Sequence, residues 1–220
     1  MNLANLVDGP SAVIVFGGTF VGTLLRSGRR DVAETLRALG QLRQRRFDAE
    51  RVRAELALQV QEIRQDGILR AKPHTYGDRE FDEATGALLE RRSVAALLAS
   101  HEAHKARRQT RSHAAVRTLA QATELAPVFG LAGTLISLSQ LPGAGIGAGS
   151  YAATIAMAVL STLYGLLAAN LLLGPLARVV ARAAEREEAE RQKVVDWLAE
   201  QVAAACKTTG DRGHDKAVAA

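Results

Sequence analysis

Leu125-Ala-Pro-Val-Phe-Gly-Leu-Ala-Gly-Thr134 opens a run that closes at Leu173-Gly-Pro-Leu-Ala177, and its 53 residues contain no Asp, Glu, Lys, Arg or His. About 20 apolar residues cross a bilayer core as a helix. The run is therefore long enough for two crossings and a turn. Pro142-Gly-Ala-Gly-Ile-Gly-Ala-Gly-Ser150 punctuates its middle and supplies the turn. A third apolar stretch, Gly9 to Leu25, lies at the other end of the chain. It lacks the basic leader and small-residue cleavage site of a signal peptide and is read as a retained span. The fold expected is all-α: a polytopic membrane protein with three transmembrane helices and long cytoplasmic helical extensions.

Whole-chain averages conceal this segregation. The 220 residues are 48% hydrophobic and 23% charged, with a mean hydropathy of zero and a net charge of +5. Of the 28 Lys and Arg, 20 lie between Arg26 and Arg117 and eight from Arg178 onward. Residues 1–25 and the 142–150 turn have none. The excess of basic residues in cytoplasmic loops then predicts both charged segments inside, with the N-terminus and the turn outside. The divisions expected are a first span over 1–25, a cytoplasmic helical domain over 26–124, a hairpin of two spans over 125–177, and a cytoplasmic helix and tail over 178–220. The arginines alternate with Asp and Glu on helical faces, which argues against nucleic acid and for contact with a lipid bilayer. A single Cys206 excludes an internal disulfide.

Between the spans, Asp31 to Asp66 reads as helical, with Val52, Leu56, Val60 and Ile63 on one face. Gly67 and Pro73 break it. From Ala87 to Ala126 there is neither Gly nor Pro, which predicts one long helix running into the second span. The Ala/Glu/Arg-rich stretch from Arg178 to Cys206 continues the third span, and the polar tail from Lys207 reads as unstructured.

The second and third spans hold no Asp, Glu, Lys, Arg or His, and a protein that moves protons alone usually has an acid or a histidine there. The acid nearest the membrane is Asp8. If the chain conducts protons, a partner must supply the carboxylate. The spans do carry small and hydroxyl residues at helical spacing: Gly130, Thr134 and Ser137 on one, and Thr154, Ser161, Thr162 and Gly165 on the other. Such faces serve close helix packing, or line a path that hydrogen-bonds water or a carboxyl. Gly18 and Gly22 form a GxxxG that favours packing. Pro127 and Pro175 each remove an amide donor and free the carbonyls of Thr123 and Leu171, either as a tolerated kink or as a hinge. His101, Glu102 and His104 lack metal-ligand spacing and read as a solvated helix face. With no P-loop or nucleophile motif, nothing suggests an enzyme, a cofactor or a metal.

Ala126-Pro-Val-Phe-Gly-Leu-Ala-Gly-Thr-Leu-Ile136 resembles the APxFGxxGTLIGL signature of the MotA/TolQ/ExbB family. Ser161-Thr-Leu-Tyr-Gly-Leu-Leu-Ala-Ala-Asn-Leu-Leu-Leu-Gly-Pro-Leu-Ala177 is similar to its TTLYGxLLANLxxxPLA block. The stretches from Asp8 to Phe20 and from Ile63 to Leu69 resemble its DPxSxxIVxGGT and (A/S)RxxGxL segments. The resemblance implies a bacterial inner-membrane proton-channel subunit in a homo-oligomer, a pentameric ring. Its single-span MotB- or ExbD-like partner would carry the membrane aspartate. It further implies Thr134 and Thr162 as ion-path lining, to which the hydroxyl stripes add Ser137 and Ser161, with Pro127 and Pro175 as coupling hinges and Arg64 as a cytoplasmic contact.

Two departures bear on the output. The chain opens at the helix that flagellar members precede with a further span, so it reads as a three-span form or as a flagellar MotA with a truncated start. The flagellar acid eight residues after Arg64 is Lys72 here. Flagellar torque, Tol/Exb-type energy transfer and a non-conducting membrane scaffold are the readings that remain, with proton or sodium as the ion.

Overall fold

The computed structural model describes residues 8–42, 47–66, 77–140 and 148–218. Among these every regular element is helical. Helix α1 spans Gly9–Gln41. Helices α2 (Ala49–Asp66), α3 (Arg79–Arg91) and α4 (Val94–Ser139) follow. Helix α5 is built of an α stretch Ala148–Leu167, a π turn Ala168–Leu173 and an α stretch Gly174–Val218. Three helices are long and apolar enough to cross a membrane: Gly9–Gln41, Val94–Ser139 and Tyr151–Ala204.

The chain forms two units, one of residues 1–44 and 111–183, the other of 45–110 and 184–220. The membrane unit begins where Asp8 caps α1. Its Oδ2 accepts from the Ser11 N–H at 2.8 Å, and Pro10 occupies the first turn, where its missing donor costs nothing. Asp8 also donates its own N–H to the Tyr164 hydroxyl at 2.9 Å, and Ser11 Oγ donates to the Met157 carbonyl at 3.3 Å. These bonds tie the start of α1 to α5. The hydroxyls of Thr19, Thr23 and Thr35 donate to carbonyls four residues earlier at 2.6, 2.7 and 2.7 Å, so none needs water on an apolar face. Gly28, with φ +81° and ψ 162°, kinks α1 in a conformation that glycine adopts without penalty. Gly18 and Gly22 receive the Phe129 ring: a Cβ at Gly18 would lie 2.3 Å from it, and one at Gly22 2.9 Å. The GxxxG is a packing face.

The second unit buries the face anticipated on α2. Val52, Leu56, Val60 and Ile63 pack with Phe81 and Leu88 of α3, Leu97 of α4, and Val194, Val195, Leu198 and Val202 of α5. Around that core runs a polar network. Arg108 pairs with Glu80 and, at 2.9 Å, with Glu188. Arg191 reaches Asp78 at 2.9 Å and lies 4.4 Å over the Phe47 ring.

The structure departs from the sequence expectations at five places. The Asp31–Asp66 stretch is shared between α1, which runs on to Gln41, and α2. The helix expected over Ala87–Ala126 is broken, because Arg92 takes a left-handed φ of 52°. There the Arg92 and Ser93 N–H groups turn back to the Leu88 carbonyl, a reversal that closes a helix without Gly or Pro. Ala148 to Ser150, expected in the turn, already belong to α5; 141–147, like Gly67, Lys72 and Pro73, lie outside the described residues. The tail expected to be unstructured from Lys207 is helical to Val218. It contains no proline, and glycine costs a helix only about 1 kcal/mol per residue. His101 and His104, expected on a solvated face, are 5% and 9% exposed. His101 Nε2 sits 3.3 Å from Gln192 Oε1, and His104 Nε2 3.0 Å from Glu83. The carboxyl of Glu83 is held below its ordinary range, first by the hydrogen bond from Arg79 and further by His104.

Candidate functional site

The second and third spans meet along a seam of small residues. Gly165 faces the backbone of α4 so closely that a Cβ would lie 2.6 Å from the Ala126 carbonyl oxygen, 3.1 Å from Gly130 Cα and 3.2 Å from Pro127 Cα. A Cβ at Gly130 would meet the Ser161 carbonyl at 3.0 Å, and one at Gly133 the Ser161 side chain at 2.8 Å. Ala126, Ala168 and Ala169 are buried in the same seam. Helices approach this closely only where side chains are absent or a single methyl.

The four candidate lining hydroxyls divide along this seam. Ser161 and Ser137 are buried, at 0% and 5% exposure, and donate to the carbonyls of Met157 and Gly133, each at 2.9 Å. Thr134 and Thr162 stay partly exposed. Thr134 Oγ1 donates to the Leu131 carbonyl at 2.6 Å. Thr162 Oγ1 lies 3.5 Å from the Ala158 carbonyl, the long limit of a hydrogen bond. Of the four, Thr162 is the hydroxyl least committed to its own helix.

The two prolines have different surroundings. Pro127 lies inside α4 with its Cα against Gly165, so it belongs to the seam. Pro175 follows the π turn, which ends where the Gly174 N–H donates to the Ala169 carbonyl, five residues back. Within that turn the exposed Asn170 donates its side-chain amide to the Leu166 carbonyl at 2.9 Å. A backbone acceptor in the span is thus satisfied by a side chain. Spacing carries no signal for Asn170 or for the π turn. Arg64 is exposed on α2 and donates to Gln201 Oε1.

Chemically, the seam offers neutral hydroxyls and a proline-adjacent π turn in an apolar run with no Asp, Glu, Lys, Arg or His. It can solvate a passing ion or a carboxyl but cannot itself carry a proton charge.

Residues 79–193 match the profile of the MotA/TolQ/ExbB proton channel family. Motility protein A of Cereibacter sphaeroides is 25% identical over 197 residues, covering 89% of this chain and 78% of that protein. Among solved structures, the flagellar MotAB stator complex from Bacillus subtilis superposes with a TM-score of 0.80 at 16% identity, over 92% of this chain and 81% of that chain. C. jejuni MotAB gives 0.75 at 17% identity, over 94% and 81%. At these identities the structural likeness establishes the fold.

Proposed function

Because the chain belongs to the MotA/TolQ/ExbB proton channel family, we propose that it is the channel-forming subunit of an ion-driven motor in the bacterial inner membrane. In this reading copies of the chain form a ring around a single-span partner of MotB or ExbD type. The partner's membrane aspartate carries the proton, and α4 and α5 supply the neutral wall it moves along. The observation that carries the reading is the partly exposed Thr162 hydroxyl, weakly held at 3.5 Å beside a packed glycine seam. Thr134 joins it on the lining, and Ser137 and Ser161 hold the wall in shape behind them. Pro127 and Pro175 act as the hinges through which ion passage becomes movement. Arg64 is the contact offered to whatever the motor drives.

The relatives named above are a motility protein, a flagellar MotAB stator complex and a second MotAB, which favours a stator-type output over Tol/Exb-type energy transfer. Lys72 stands against a rotor contact of the usual charge pattern.

The test is co-purification with the candidate single-span partner, followed by proton flux in cells expressing both. Thr162→Val and Pro175→Ala should each lower flux while leaving the complex assembled. Unchanged flux with both variants would overturn the lining and hinge roles.

A further inference from the structure

In the membrane unit a cavity of about 220 Å³ is walled by α1, α4 and α5, with Phe20, Val32, Leu36, Thr118, Ala122 and Leu172 among its lining. It takes residues from both sides of the Gly28 kink, so the bend in α1 shapes it. Phe20, Leu36 and Leu172 are 57%, 61% and 50% exposed, which leaves its mouth open and apolar.

One wall atom is out of keeping with that surface. Thr118 is 3% exposed and its hydroxyl has no hydrogen-bond partner. The threonines of α1 in the same wall, Thr19, Thr23 and Thr35, all donate to their own helix. A buried hydroxyl left unmet calls for an acceptor. Water is a poor occupant, because it needs two to four polar partners and this wall offers few.

Charge narrows the choice. Thr118 lies seven residues before the uncharged run that opens at Leu125, at the arginine-rich end of the spans. The acids there are already taken: Glu124 by Arg26 at 3.3 Å, Asp31 by Arg117 at 2.8 Å and Glu34 by Arg37 at 2.6 Å. Arg29 and Arg30 are exposed beside the kink, with no acidic partner among the described residues. The apolar groove and its unmet donor are thus followed closely along α1 by two exposed guanidinium groups, Arg29 and Arg30 standing three and two residues before Val32 of the wall.

We propose that this groove holds an anionic phospholipid. One acyl chain lies along Phe20, Leu36 and Leu172, an ester or phosphate oxygen accepts from Thr118, and the headgroup charge is met by Arg29 and Arg30. The site requires only that the chain is membrane-embedded and does not depend on ion conduction, so the two readings fail separately.

The full chain is reconstituted in discs of equal phosphatidylglycerol and phosphatidylcholine, and the lipid retained is counted by native mass spectrometry. Phosphatidylglycerol should be retained in preference. Thr118→Val should lower its retention about threefold to tenfold, the worth of one hydrogen bond, whereas Thr118→Ser should keep it. The double variant Arg29→Gln with Arg30→Gln changes only exposed positions, and it should abolish the preference even if Thr118→Val fails to fold. Equal retention of both lipids, or a disulfide between two copies carrying Leu36→Cys that excludes lipid from the groove, would overturn the proposal.

Discussion

Gly165 shows how little room the seam leaves. A methyl there would sit 2.6 Å from the Ala126 carbonyl oxygen and 3.2 Å from Pro127 Cα, both backbone atoms that cannot rotate away. Gly165→Ala should therefore push α4 and α5 apart at a cost of about 1–3 kcal/mol, seen as a lower melting temperature of the purified protein. An unchanged melt would mean that the seam is looser than its geometry indicates. The hydroxyls call for a different measurement. Ser161→Ala removes a group already bonded to its own helix and should leave flux near wild type, while Thr162→Val should reduce it. Equal loss from both would place the serine on the path too. Spacing along the helices puts the four hydroxyls in two stripes, Thr134 and Ser137 on α4 and Ser161 and Thr162 on α5. It cannot separate them, because burial depends on which helix lies opposite, and residue order does not record that. The glycines are legible as packing residues for the opposite reason: lacking a side chain, they have few other uses on a span.

At the scale of elements, Arg92 marks the clearest gap between sequence and structure. Helices usually close on glycine in the left-handed conformation, and between Ala87 and Ala126 there is none, so an unbroken helix is the natural expectation. The chain nevertheless reverses at Arg92, and a residue with a Cβ held at φ 52° carries strain of about 1–2 kcal/mol. Arg92→Gly should relieve most of it and raise stability by about 1 kcal/mol, measured by chemical or thermal unfolding. A destabilised variant would show that the arginine side chain makes a contact worth more than the strain. The π turn Ala168–Leu173 is equally hidden, since its residues are ordinary in an apolar helix and only Pro175 hints at a disturbance. Asn170→Leu removes the amide that satisfies the Leu166 carbonyl. If that bond stabilises the turn, the variant should melt lower, and Asn170→Gln should restore less than the native residue because its longer side chain overshoots the carbonyl. What the sequence shows plainly are features set by composition over many residues: three apolar helices, and the Val52–Leu56–Val60–Ile63 face that forms a core.

For the molecule, charge placement is the property that a membrane acts on. All 28 Lys and Arg fall outside the apolar runs, 20 between Arg26 and Arg117 and eight from Arg178 onward. Of the three candidate spans, the second and third separate these segments, so an even number of crossings lies between them. We propose that the two basic segments share one side of the membrane and that the link between the second and third spans faces the other. On the bias toward basic cytoplasmic loops, we propose that the shared side is the cytoplasm. This yields a prediction with two arms. In intact cells a membrane-impermeant maleimide should label Ser139→Cys, an exposed position near the turn, in a Cys206→Ser background. The native Cys206, tested alone, should react only after the membrane is permeabilised. Labelling of both from outside would mean an odd number of crossings between the basic segments, and reversed labelling would mean that the arginines face outward. Either result would remove the cytoplasmic position of Arg64 and with it the contact proposed for the motor's output, while leaving the glycine seam and the lining hydroxyls as they stand.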